Sequence, residues 1–122
     1  MEPPIRLAVG KGARAGAASL HEVVTASRPD EVYNTAAQSV PADSWGQPIV
    51  TGEITALAPV RILEALRQFR PDARFYQASS REVYGGIEQE VVDERTPFLA
   101  NNPYGVAKLY AHLMTRTYRE SY

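Results

Sequence analysis

Apolar residues occur along the chain in two patterns, short runs and spaced stripes, and these predict strands and helices in turn. Residues 5–9 form a short apolar-rich run, read as a strand. Leu20, Val23 and Val24 recur at helical spacing, which predicts a short helix over 18–27, stopped by Pro29 and Asp30. Residues 31–34 read as a buried strand. Residues 35–50 mix Ser, Pro and Gly with no clean period and are read as loop. From 53 to 69, Ile54, Leu57, Ala58, Ile62, Leu66 and Phe69 form one stripe at the 3.6-residue period, which predicts a second helix. Pro59 falls inside that stripe and either kinks the helix or marks its true start. Residues 74–79 read as a third strand ending in small hydroxyl residues, and 85–102 as polar loop. Asn102 is a plausible N-cap, and Pro103 behind it fits a first helical turn. The last helix then runs to about Tyr118, with Leu109, Leu113 and Met114 inward.

The order is β-α-β-α-β-α, which implies an α/β fold with a parallel sheet. Ligands in such sheets sit beyond the carboxyl ends of the strands. Two segments fall there: Thr35 to Ser39 and Ser79 to Glu82. Composition narrows the function classes. The 122 residues suit one domain, and thirteen Lys+Arg against fourteen Asp+Glu give a net charge of −1. That balance offers no basic field for a nucleic-acid backbone. There is no cysteine, which excludes a disulfide scaffold and a thiolate metal site and fits a cytoplasmic protein. No apolar run is long enough to cross a bilayer, and the first residues show no apolar signal core.

The strongest chemical signal is Tyr104-Gly-Val-Ala-Lys108. Four residues apart on a helix, the phenol and the ammonium share one face. A neighbouring cation favours a phenolate, so the pair can move a proton. The bland alternative is a half-buried Tyr beside a surface Lys. The second signal is Ser79-Ser80-Arg81-Glu82 just past a strand: Ser80 can bond a substrate hydroxyl, and Glu82 can serve as general acid or base. A turn with Ser side chains capping backbone groups is the commoner use of such residues. What raises the odds is the combination, a hydroxyl and a carboxylate at a strand's end followed by an Asn-Pro-Tyr-x-x-x-Lys helix. Gly10, Gly12 and Gly16 suggest a dinucleotide loop, but the spacing is one residue too long for G-x-G-x-x-G and no acidic residue closes the next strand. A flexible Gly/Ala connection fits them better. His21 and His112 lack partners at metal spacing and read as surface or packing residues, so no metal site is expected.

Together these residues resemble the extended short-chain dehydrogenase/reductases that act on nucleotide sugars, and within them the GDP-mannose 4,6-dehydratase branch. The resemblance rests on Arg28-Pro-Asp-Glu-Val-Tyr-Asn34, Ala36-Ala-Gln-Ser39, Arg61-Ile-Leu-Glu-Ala-Leu-Arg67 and Arg74-Phe-Tyr-Gln-Ala-Ser-Ser80. It continues through Glu82-Val-Tyr-Gly85, Thr96-Pro-Phe98, Pro103-Tyr-Gly-Val-Ala-Lys-Leu-Tyr110 and Tyr118-Arg-Glu120, in one register from about Leu20 onward. It implies a partial Rossmann-like, doubly wound domain over residues 1–122, without the N-terminal βαβ unit and the C-terminal substrate region.

The resemblance also implies roles. Tyr104 would take the proton of the sugar C4 hydroxyl while hydride passes to NADP, and Lys108 would assist Tyr104 and bind the nicotinamide ribose. Ser80 would bond the C4 oxygen. Glu82 would take the C5 proton and help the C6 hydroxyl leave as water, before hydride returns to C6. Thr35, Ala36, Ala37, Gln38 and Ser39 would line the cofactor, as would Tyr104 and Lys108. The substrate would be GDP-mannose, and the helices 53–69 and 103–120 would pair subunits. Arg81 stands where dTDP-glucose 4,6-dehydratases carry an acid, and Glu82 favours dehydration over epimerisation. Departures accompany these matches: Ala13 and Arg14 stand for an Asp-Leu pair that contacts adenine, Val50 for a cofactor-contacting Tyr, and Ala58 and Pro59 for a small residue and Thr. The alternatives are another nucleotide-sugar dehydratase or epimerase, or a non-catalytic remnant that associates with a full-length homologue.

Overall fold

A computed structural model of the chain describes residues 3–9, 17–88 and 91–122. The Gly10 to Gly16 stretch, including the positions of Ala13 and Arg14, lies outside these residues. Strands β1 (Arg6–Val9), β2 (Glu31–Asn34) and β3 (Arg74–Gln77) form one parallel sheet in the order β1-β2-β3. Helix α1 (Ala17–Ser27) lies between β1 and β2 in the chain, and a helical run over 48–69 lies between β2 and β3. The last helix, α4, spans Pro103–Ser121. This is the parallel α/β arrangement that the alternating pattern implies.

Strand alternation divides the sheet into two faces. Leu7, Val9, Val32 and Phe75 pack on Leu20 and Val24 of α1 and on Ile62, Ala65 and Leu66 of the second helical run. Val32, Val24 and Ile62 are almost wholly buried. The opposite face carries Arg6, Glu31 and Arg74, aligned by the strand register, and the exposed rings of Tyr33 and Tyr76. The Glu31 carboxylate accepts from Arg6 at 2.9 Å, Arg74 at 2.6 Å and the Tyr33 hydroxyl at 2.9 Å. The Tyr33 hydroxyl and Arg6 together lower its pKa. Helix α1 ends at Ser27; Arg28 follows with φ 45°, and then Pro29. The predicted strands 5–9 and 74–79 shorten to β1 and β3, because beyond Gln77 only the Ala78 amide still bonds across, to Asn34 O at 3.0 Å.

Three features depart from the hydrophobic pattern. First, residues 35–50 are not all loop: a 3-10 turn covers Pro41–Trp45 and α2 covers Pro48–Thr51, each opened by a proline at its start. Both are too short to show a period. Second, α2 continues through a π turn at Gly52–Leu57 into α3 (Ala58–Phe69). Pro59 has no amide hydrogen, and its ring crowds the carbonyl four residues back. The helix widens there, so that Ala58 N–H bonds Glu53 O. The wider turn rotates the stripe: Thr55, Ala56, Ala58, Pro59, Ile62, Leu63, Ala65 and Leu66 are buried, whereas Ile54, Leu57 and Phe69 are exposed. Third, α4 buries Gly105, Ala107, Lys108 and Ala111, while Leu109, Leu113 and Met114 are only half-buried. It packs through small residues, which leave no large apolar stripe to read.

The core and the α3–α4 contact each give an expected outcome. Ile62→Ala removes a fully buried side chain and should cost about 2–5 kcal/mol in urea denaturation. Glu64 of α3 accepts from Arg67 at 2.9 Å and from the Tyr118 hydroxyl of α4. The Arg67 guanidinium, with Tyr118, holds the Glu64 carboxyl down at about 2 against its ordinary 4.5. A folded value below the unfolded one gives stability that is present above about 4.5 and lost as pH falls toward 2. Glu64→Gln should therefore flatten the loss of thermal stability across that window, and an unchanged acid profile would contradict the assignment.

Candidate active site at the carboxyl ends of the strands

The site is built where α4 begins. Asn102 has extended backbone angles, and its Oδ1 accepts the Gly105 amide at 2.8 Å, capping the helix as the Asn-Pro pair predicts. Its Nδ2 donates to Glu82 Oε2 at 2.7 Å. Glu82 lies on a 3-10 turn, Arg81–Tyr84, opened by Ser80, whose Oγ accepts the Glu82 amide at 3.2 Å. The capping use of Ser80 expected of such turns is therefore present, and it fixes the serine against the Glu82 backbone. Helix and turn approach closely. A Cβ on Gly105 would lie 2.4 Å from the Glu82 carbonyl oxygen, so only glycine fits.

Lys108 follows one turn after Tyr104 and is 3 % exposed. Its Nζ donates to Ala78 O at 2.9 Å and lies 5.8 Å from the centroid of the Tyr104 ring. Burial pushes the Lys108 ammonium below the usual lysine range. Ala78 O also accepts from Gln77 Nε2 at 3.1 Å. The Gln77 oxygen takes Asn34 Nδ2 at 2.7 Å, and Asn34 Oδ1 takes the Ala36 amide at 3.2 Å. A hydrogen-bonded chain thus runs from α4 across the ends of β3 and β2 into the segment from Thr35. Tyr104 is half-buried, and its amide donates to Ser44 Oγ at 3.2 Å. Ser44 is buried in the 3-10 turn at Pro41–Trp45 and donates to Pro41 O.

The structure places the sequence candidates as follows. Ser80, Glu82, Tyr104 and Lys108 are joined through the Ala78–Glu82 backbone and Asn102. Thr35 binds Val9 O through its amide at 2.9 Å and its hydroxyl at 3.2 Å. Ala36 is buried, Ala37 half-buried, and Ser39 exposed. Gln38 donates its amide to Thr55 Oγ1 at 3.2 Å, and its side chain meets the Thr51 hydroxyl. Val50 is exposed. His21 stacks edge-on against Phe69 and His112 against Phe98, which is packing. Among the described residues no group of three His, Cys, Asp or Glu can hold a metal ion, and no helix is long and apolar enough to cross a membrane. Sequence reasoning missed Asn34, Gln77, Ser44, Thr51 and Thr55. Their signal is weak, since each is a polar residue whose partners lie far off in the chain. Asn102 was visible as a cap but not as the partner of Glu82.

A parallel sheet with a Ser-x-Glu turn after its third strand and Tyr-x-x-x-Lys on the next helix defines a class, the Rossmann-type enzymes of the short-chain dehydrogenase and epimerase kind. Solved structures carry the same fold. The dTDP-glucose 4,6-dehydratase of Streptomyces venezuelae with NAD bound matches with a TM-score of 0.78 at 25 % identity, over 88 % of this chain and 33 % of that one. The protein RMD of Pseudomonas aeruginosa complexed with NADPH matches with a TM-score of 0.73 at 27 % identity, over 82 % and 34 %. The family model described as GDP-mannose 4,6 dehydratase matches residues 6–122. The GDP-mannose 4,6-dehydratase of Vibrio cholerae serotype O1 is 42 % identical over 106 residues, covering 85 % of this chain and 28 % of that protein. The chain belongs to the GDP-mannose 4,6-dehydratase family. It spans about a third or less of the length of such relatives.

The tight helix–turn contact gives a paired test. Gly105→Ala should destabilise by about 1–3 kcal/mol, because the Glu82 backbone must move. Gly52→Ala meets nothing within 4 Å and should leave thermal stability unchanged or raise it by up to about 1 kcal/mol.

Proposed function

We propose that this chain carries the acid–base segment of a GDP-mannose 4,6-dehydratase, which converts GDP-mannose to GDP-4-keto-6-deoxymannose with loss of water. The observation that carries the reading is the fixed carboxylate. Oxidation at C4 needs only a Tyr–Lys pair and a hydroxyl, whereas elimination of water needs a second acid–base group. Glu82, tied by Asn102 to the turn that presents Tyr104, supplies one.

Tyr104 takes the C4 hydroxyl proton, and Ser80 bonds the same oxygen. Lys108, buried beside the Tyr104 ring, brings a positive charge to the same helix face. Glu82 removes the C5 proton and hands a proton to the departing C6 hydroxyl, so that the carboxylate is regenerated as water leaves. The residues at the strand ends also suit a nicotinamide cofactor. Lys108 donates to Ala78 O, and an ammonium has further hydrogens to offer ribose hydroxyls. Ala36, Ala37 and Ser39 are small, which leaves room along the end of β2, and Thr35 and Gln38 flank them. Bound there, the cofactor would supply hydride acceptance at C4 and return at C6; we assign NADP, the dinucleotide phosphate seen in reduced form in the P. aeruginosa structure. A cytoplasmic location goes with this reading.

Subunit pairing through the helices of 53–69 and 103–120 belongs to the same proposal, and α2 leads into the first of them. Ile49, Leu57, Val106 and Tyr110 are exposed there, and Ile49, Leu57 and Tyr110 line a shallow groove. Sedimentation equilibrium should find dimers that Ile49→Asp dissociates; a monomer at high concentration would refute the pairing.

The function is tested in a hybrid in which this chain replaces the matching segment of the V. cholerae dehydratase. Incubated with GDP-, dTDP- and UDP-sugars, the hybrid should make a 4-keto-6-deoxy product from GDP-mannose. Glu82→Gln should lower turnover by about 10²–10⁴-fold. A C4 epimer as the product would favour the epimerase alternative, and no product from any sugar would favour the non-catalytic remnant.

A further inference from the structure

The cap at the head of α4 has a second role. Ser, Thr, Asp and Asn all cap helices well, so capping alone does not explain the choice at position 102. Only Asn combines an acceptor for the helix amide with a separate NH₂ donor. The structure uses both. Oδ1 faces the Gly105 amide at 2.8 Å, and since that amide can only donate, the oxygen of the side chain must be the atom that meets it. The orientation of the amide group is thereby settled, and Nδ2 must point at Glu82 Oε2, 2.7 Å away. The second Nδ2 hydrogen reaches toward Asn101 Oδ1 at 3.3 Å, and Asn101 in turn donates to Gly85 O at 2.9 Å. Two asparagines thus hold both ends of the Glu82 turn.

Resting on the dehydratase reading, we infer that Asn102 is a positioning residue: it uses the helix cap as a fixed anchor to hold the Glu82 carboxylate in place. Besides Glu82 itself, the titratable groups of the turn and of the first two turns of α4 are Arg81, Tyr84, Tyr104, Lys108 and Tyr110, and none of these is a carboxylic acid. Asn102→Asp keeps a good cap but replaces the donor with a second carboxylate beside Glu82.

In the wild-type hybrid and its Asn102→Asp form, helix content should match, and melting temperature should fall only at pH values where both carboxylates are charged. Turnover should fall about ten- to a hundredfold with KM little changed. The acid limb of the pH–rate profile should move to higher pH, because a like charge makes Glu82 harder to deprotonate. Asn102→Ser, which keeps a cap and removes the NH₂ donor without adding a charge, should also lose turnover but move that limb less. A wild-type pH profile and rate in Asn102→Asp, in a hybrid that makes the 4-keto-6-deoxy product, overturns the inference and leaves the dehydratase reading standing. A hybrid without product overturns the reading instead, and the positioning contact is then decided in the 122-residue chain by NMR. There the Asn102 side-chain NH₂ resonances should shift with acid in the wild type and stay put in Glu82→Gln. The same behaviour in both overturns the inference.

Discussion

A buried ammonium must find oxygen, and that requirement organises the end of this molecule where α4 meets the strands. Lys108 sits under the surface of α4, where an unpartnered charge would be very costly. Its partner is a backbone carbonyl, Ala78 O, just past the end of β3. The contact sets how far α4 lies from the sheet and which of its turns faces the strand ends. The same carbonyl is the last link of a relay through Gln77 and Asn34 to the Ala36 amide. Three elements distant in the chain are thus aligned by one cation and the amide side chains beneath it.

Small residues make this alignment feasible. Gly105, Ala107 and Ala111 bring the backbone of α4 close to its neighbours, where larger side chains would hold it away. The π turn does similar work on the other side. Widening before Pro59 turns Thr51 and Thr55 inward, where they meet Gln38. Polar side chains inside this part of the fold therefore act as spacers of fixed length, with each hydroxyl or amide matched to a partner.

How much of this was legible in the sequence follows from the range of each signal. Strand β2 and the start of α4 fall where the sequence places them, since a bounded apolar run and an Asn-Pro cap are local signals. Ser80, Glu82, Tyr104 and Lys108 stand out as candidates in the sequence because residue type and spacing are local signals. The inward face of α4 was not, because a helix that packs through Gly and Ala has no apolar period, and Leu109 and Leu113 misdirect the eye. The helical turns at 41–45 and 48–51 are shorter than any period can reveal. Ser44, Asn34 and Gln77 were hidden for a different reason: a buried polar side chain is specified by partners that sequence proximity does not show.

The charged row across the open sheet face carries its own consequence. Glu31 stands between Arg6 and Arg74 on the middle strand and takes a hydrogen bond from each. The two arginines are exposed, whereas the carboxylate they share is buried. Together they act as an alignment code for the three strands. A slip of one residue in either neighbour would break an arginine contact and also turn that strand's apolar side chains to the solvent face. Two independent penalties thus fall on the same error. Four-residue strands, too short to choose their register by length, are given a single correct pairing by charge on one face and apolar contact on the other.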